Sequence, residues 1–210
     1  MSAFERKYAI SLPSDYREFI TTVGDGGAGP HCGIDRLAEA SSCRGRPTQK
    51  SVVGPSLPFP WTSTVTISSK ADIESDLWDQ RPGVLRLADF GCGGHDILVV
   101  NGATYGKIWN DLTDADGRLI PTGSSFTDWY VTWAADCINT IKREPLRDQV
   151  RLGMTVDEVR SILGTEMQQW EGSSDHLERC VYYIKFLQTN ASYGIGSDGK
   201  VVRINNWDHV

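Results

Sequence analysis

Short apolar runs alternate with glycines from Val84 to Leu112, VLRLADFGCGGHDILVVNGATYGKIWNDL, and this pattern predicts three strands. Val84, Leu85 and Leu87 form the first run, Ile97 to Val100 the second, and Ile108 with Trp109 the third. Gly91, Gly93, Gly94, Gly102 and Gly106 stand at the joins, where tight turns are needed. No polar residue interrupts Ile97-Leu98-Val99-Val100, so this strand is expected to be covered on both faces and to lie at the centre of its sheet.

Upstream, Leu12-Pro13 introduces a helix whose Tyr16, Phe19, Ile20 and Val23 share one face, with Ser14 or Asp15 as its cap and Gly24 as its stop. Serines, prolines and arginines from Ser41 to Pro60 predict a surface excursion. The β-branched stretch Trp61 to Ile67 reads as an edge strand, and Ala71 to Trp78 as a short helix.

Downstream, Phe126, Trp129, Tyr130, Trp133, Cys137 and Ile141 recur at intervals of three and four on a helix capped by Ser125 or Thr127. Burying each large ring is worth about 2 kcal/mol, so this stripe is expected to pack on the sheet. Glu144-Pro145 should end the helix and mark a domain boundary. Beyond it, Thr155 and Glu158 have the spacing of a capping box. Val156, Val159, Ile162 and Leu163 form that helix's buried face, and Gly164 closes it. Val181 to Leu187 and Ala191 to Ile204 then read as antiparallel strands, the second turned at Asp198-Gly199.

Residues 1–145 combine helices with a sheet, and a small helix-plus-antiparallel-sheet module occupies 146–210. A unit of about 60 residues is marginal alone, so the module is expected to dock on the first domain.

Composition narrows the function. A chain of 210 residues can bury a substantial core, and a net charge of -6 with no run of lysines or arginines excludes nucleic acid as the partner. Charges at Glu5, Arg6, Lys7, Asp15, Arg17 and Glu18 leave no apolar signal segment, and no stretch is long enough to span a bilayer. A cytoplasmic protein without membrane partners is expected. The five cysteines, odd in number and scattered, fit reduced thiols.

Candidate chemistry is sparse. The glycine-rich loop Gly26 to Gly33 lacks the lysine and Ser/Thr of a phosphate loop. A calcium loop containing Asp114, Asp116 and Gly117 would begin at Leu112 and end at Gly123, neither of which has a carboxylate, so a polar turn is expected there. His31, Cys32, Cys92 and His95 could offer two thiolates and two imidazoles to zinc, but adjacent ligands fit poorly with the usual intervals. Cys92, His95 and Asp96 supply the residue types of a nucleophile, a base and an orienting group, on a turn whose geometry the sequence does not fix. No catalytic residue, metal or cofactor is assigned.

Charge distribution says more. Asp72, Glu74, Asp76, Asp79, Asp89, Asp96, Asp111, Asp114, Asp116 and Asp128 face only Arg81, Arg86, Lys107 and Arg118 between residues 72 and 128. The local excess equals the net charge of the whole chain. Such a surface would steer a basic protein partner. All of these acidic residues except Asp128, together with Trp78 as an aromatic anchor, are the candidate partner-binding set.

Two resemblances follow from the motifs. LPSDYREFI, GVLRLADFGCGGHDILVVNGATYGKIWND, Pro121 and FTDWYVTWAAD resemble the SUKH superfamily of the Smi/Knr type, from about Leu12 to Ile141. That resemblance implies an α+β fold, a mixed or antiparallel sheet with packed helices, and, in bacteria, most often an immunity protein that neutralises a toxin of a polymorphic or contact-dependent system. GMTVDEVRSILG and GKVVRI resemble the small modules of the BamE/SmpA-like class of outer-membrane assembly lipoproteins. Only the fold is carried over, since the signal peptide and lipidated cysteine of those lipoproteins are missing from this sequence.

Three functional readings result. The first is a non-enzymatic immunity protein whose acidic surface occludes the active site of a basic, nucleic-acid-directed toxin. The second is a regulatory or scaffold module of the Smi/Knr type. The third is a thiol enzyme using Cys92.

Overall fold

A computed structural model describes residues 2–40, 54–67, 80–165, 167–171, 180, 182–186 and 191–206. The chain divides into two compact units, Met1–Trp133 and Ala134–Val210. Each is α+β.

The first unit opens with α1 (Ser2–Tyr8), α2 (Ser14–Thr22) and α3 (Leu37–Ala40), then a single 3-10 turn at Gly54–Ser56. Its sheet consists of β1 (Val65–Thr66), β2 (Val84–Gly91), β3 (Gly94–Val99), β4 (Lys107–Leu112) and β5 (Arg118–Ser125). These five strands lie in the order β1-β5-β4-β3-β2, and every pairing is antiparallel. The edge strand expected within Trp61 to Ile67 is β1, only two residues long.

Alternation along the strands sends side chains to two separate cores. Leu85, Leu87, Leu98, Val100 and Ile108 pack with Leu12, Tyr16, Phe19, Leu37 and Phe126 on one face. Val84, Ile97, Val99, Trp109 and Leu119 pack with Phe59 and Ile67 on the other. The unbroken Ile97–Val100 run is thus buried on both faces as its composition requires. It is not the central strand, however. β4 holds that position, because β1 pairs beyond β5 and moves the middle of the sheet by one strand.

Other expectations change in detail. Glu5 accepts from the Leu12 N–H at 3.0 Å and pairs with Arg17, tying the unforeseen α1 to α2. Tyr16 and Phe19 are buried on α2, but Val23 is 68 % exposed at its C-cap. Asp15 does not cap its own helix; Pro13 occupies that position, and Asp15 Oδ2 accepts the Thr127 N–H at 3.1 Å. Within the segment expected to be a surface excursion, Phe59 is 2 % exposed and its N–H donates to Asn101 O at 2.8 Å. The expected helix at Ala71 to Trp78 lies outside the described residues.

Helix α4 (Phe126–Arg147) begins as the sequence indicates. Ser125 Oγ accepts the Asp128 N–H at 3.1 Å, and Asp128 Oδ2 accepts from the Ser125 N–H at 3.3 Å and its hydroxyl at 2.8 Å. The aromatic stripe starts in the first core, with Phe126 buried and Trp129 and Tyr130 packed beside it, but Ile141 at its far end is 70 % exposed. Spacing selects a face without fixing how far along the helix its neighbours extend. Pro145 does not terminate α4 at once: two more residues, Leu146 and Arg147, remain helical. A proline this close to the C-terminus sacrifices one hydrogen bond of the last turn, and the helix ends half a turn later.

In the second unit α5 (Val156–Leu163) carries the complete capping box, Thr155 with Glu158, and ends at Gly164. Its Val159 and Leu163 are buried against Ile184, Ala191, Tyr193, Ile195 and Val201. Those residues lie on an antiparallel sheet in the order β6 (Met167–Glu171), β7 (Tyr182–Phe186), β8 (Ala191–Ile195) and β9 (Val201–Asn206). β6 was not read from the sequence; Met167-Gln-Gln-Trp-Glu171 has too few apolar residues to declare a strand.

Candidate functional site

Antiparallel order brings two turns to one end of the first sheet. The β2–β3 turn at Cys92-Gly93 and the β4–β5 turn from Thr113 to Gly117 lie side by side, and a Cβ on Gly93 would meet that of Asp114 at 2.8 Å. The glycine-rich loop joins them from the β2 side. Cys32 N–H donates to Asp89 O at 3.3 Å and Asp35 N–H to Leu87 O at 2.7 Å, while Asp35 Oδ2 holds Arg86 Nε at 2.5 Å.

At the centre of this end is Asp96, 1 % exposed. Its Oδ1 accepts from Asn110 Nδ2 at 2.6 Å, and its Oδ2 lies 3.1 Å from both Trp129 Nε1 and His31 Nε2. One carboxylate thereby joins β3, β4, α4 and the glycine-rich loop. Burial pushes its carboxyl above the ordinary carboxylate value, against the opposing pull of His31, Trp129 and Asn110.

His31 is held from several sides. Its backbone is left-handed at φ 57°, and its ring lies 4.9 Å from that of Phe90 at 48°. Phe90 in turn occupies the space that a Cβ on Gly94 would fill. The imidazole itself remains 42 % exposed. Sequence reasoning weighed His31 only as a zinc ligand, because its partner is 65 positions away. Its neighbourhood of glycines, Gly26-Gly27-Ala28-Gly29, was the one available sign of unusual backbone.

The structure redistributes the acidic candidates. Asp96 and Asp111, expected on a solvated rim, are each 1 % exposed, and this is a correction to their expected place. Asp111 lies on β4 opposite His95, paired with Arg81 and accepting from Thr113 Oγ1 at 2.6 Å. Strand alternation turns these two carboxylates inward, which a count of charges along the chain does not detect. Asp114 and Asp116 are exposed in the β4–β5 turn, and Asp116 pairs with Arg118. Asp89 is 47 % exposed in its side chain, with Oδ1 accepting the Gly91 N–H at 2.7 Å. Asp72, Glu74, Asp76, Asp79 and Trp78 lie outside the described residues.

The geometry does not assemble the thiol, imidazole and carboxylate suggested by Cys92, His95 and Asp96. His95 and Asp96 are consecutive on β3 and point to opposite faces, so Asp96 orients His31 and not His95. His95 Nδ1 instead sits 3.9 Å from Asp89 Oδ1. Cys92 is exposed on the turn. Among the described residues no group of three or more His, Cys, Asp and Glu is placed to hold a metal ion. No described helix is long and apolar enough to cross a membrane.

Compared with known proteins, residues 1–131 match the model of the family described as SMI1 / KNR4 family (SUKH-1). No curated protein and no solved structure matches the chain.

Proposed function

This chain belongs to the SMI1 / KNR4 family (SUKH-1), and from that premise we propose that it is a non-enzymatic immunity protein of the cytoplasm that neutralises a cognate bacterial toxin. On this reading residues 1–145 form the SUKH-type domain and 146–210 a module of BamE/SmpA-like fold, a likeness supported by its capped helix and four-stranded antiparallel sheet. The observation that carries the proposal is the family match over the first domain.

The arrangement of the sheet end supports a mechanism of occlusion. Buried pairs fix the frame, Asp96 to His31 and Asp111 to Arg81, while Asp89, Asp114 and Asp116 remain at the surface. A rigid acidic edge suits the basic groove of a nuclease-type toxin, since its charge steers encounter and its shape blocks the substrate path. A standard interface would bury about 1,600 Å² in total. No bond is made or broken.

Co-expression with the product of the adjacent upstream gene, followed by pull-down, tests the reading. A stable complex whose formation weakens with salt and with Asp89→Lys, Asp114→Lys and Asp116→Lys is expected. Failure of that gene product to bind favours the regulatory or scaffold reading. Binding that is indifferent to all three reversals moves the interface elsewhere.

A further inference from the structure

We propose that His31 is the specificity residue of this sheet end, accepting on its Nδ1 an N–H from a lysine or arginine side chain of the protein partner. The inference rests on the reading that this end meets another protein, and it adds the group that reads it.

Hydrogen-bond polarity comes first. Trp129 Nε1 can only donate, and Asn110 Nδ2 donates, so both Asp96 oxygens act as acceptors. Imidazole Nε2, at the same Oδ2 as the indole, is then the nitrogen that carries hydrogen. In the neutral ring that leaves Nδ1 with its lone pair. A carboxylate bound behind an imidazole makes the opposite nitrogen a stronger acceptor.

Position and charge then select the donor. The ring is braced by Phe90 on one side and by Asp96 beneath, yet keeps 42 % of its side-chain surface. Its backbone is left-handed at a non-glycine residue, a strained conformation. The loop holding it is bonded to Asp89, whose carboxylate is nearly half exposed, and the exposed Asp114 occupies the turn at the same end, where Asp116 is already paired with Arg118. An anionic group approaching this end of the sheet would meet the exposed Asp89 and Asp114 carboxylates. A guanidinium or ammonium group satisfies both the lone pair and the surrounding charge.

The test uses the full chain labelled with nitrogen-15 and reads the histidine ring nitrogens at pH 7.5. His31→Gln removes one set of signals and so assigns them. Hydrogen on Nε2 with a bare Nδ1 is expected, and N-acetyl-arginine methylamide at millimolar concentration should move the Nδ1 signal whereas N-acetyl-glutamate methylamide should not. Asp89→Lys should weaken the arginine response by about threefold, the scale of an exposed charge pair. Hydrogen on Nδ1, an unmoved ring, or an equal response to the glutamate probe overturns the proposal. A silent His31 in a chain that still captures the toxin removes this inference alone; an arginine-responsive His31 in a chain that captures no toxin removes only the toxin.

Discussion

Asp96 is where one atom group holds the most structure, and replacing it gives the sharpest test of the sheet-end geometry. The side chain is 1 % exposed and joins Trp129, Asn110 and His31 at 3.1, 2.6 and 3.1 Å. Asp96→Ala leaves the indole and amide donors of Trp129 and Asn110 without acceptors. Each stranded donor costs about 1–3 kcal/mol. The exposed imidazole recovers water, so the total loss is about 2–6 kcal/mol, dominated by the two less accessible groups. Asp96→Asn behaves differently. Its oxygen can serve Trp129 and His31 while its amide hydrogens face Asn110, whose own amide turns over to accept. The charge disappears, and with it the penalty of burial. Its stability should lie within about 1 kcal/mol of the wild type at neutral pH.

Urea unfolding followed by tryptophan fluorescence measures both variants, and pH gives the sign. Because the folded-state value of Asp96 is raised above the ordinary 3.8, the folded protein binds this proton more tightly than the unfolded chain does. Its contribution is fully present below the unfolded value and is lost as pH rises through the raised folded value. Wild-type stability measured against Asp96→Asn should therefore fall with rising pH across that window and then level. A wild-type advantage that grows with pH, or an Asn variant as unstable as the Ala variant, refutes the reasoning.

Other outcomes follow from single contacts. Asp111→Ala should cost about 3 kcal/mol in chemical denaturation, because it removes the buried carboxylate that pairs with Arg81, and a stability change below about 1 kcal/mol would count against a buried pair. Thr155→Ala should cost about 1 kcal/mol in urea unfolding by removing the cap of α5. The Thr155 N–H and hydroxyl hold Glu158 below its ordinary 4.5, so this cap's contribution is present above that value and fades as pH falls through the lowered folded one. Thr155→Ala removes the hydroxyl and keeps the backbone N–H, the larger cause, so it should only lessen that dependence. Gly94→Ala places a methyl where the Phe90 ring lies, so the ring must swing away, and should abolish the ring-current shift that Phe90 imposes on His31.

Local signals in the sequence were sufficient for much of the fold. The Thr155–Glu158 box, the Asp198-Gly199 turn and the Ser125 cap each complete their hydrogen bonds within a few residues, so spacing alone identifies them. The double burial of Ile97 to Val100 was legible for a related reason: an unbroken apolar run has no side that tolerates water. The α+β class needed the helices as well, read from spacing on either side of these strands, and the family match runs over residues 1–131.

What the chain order could not express is which distant groups meet. Asp96 looked like one more surface carboxylate until β4, α4 and the glycine-rich loop supplied Asn110, Trp129 and His31 around it. Asp111 likewise acquired Arg81 from 30 positions upstream. Net charge is a sum over the chain, whereas the field at a surface depends on which charges are turned inward and cancelled. Helix and turn signals act over a handful of bonds and were therefore written in the sequence; the partners of buried charges are chosen by packing across strands, and only the tertiary structure decided them.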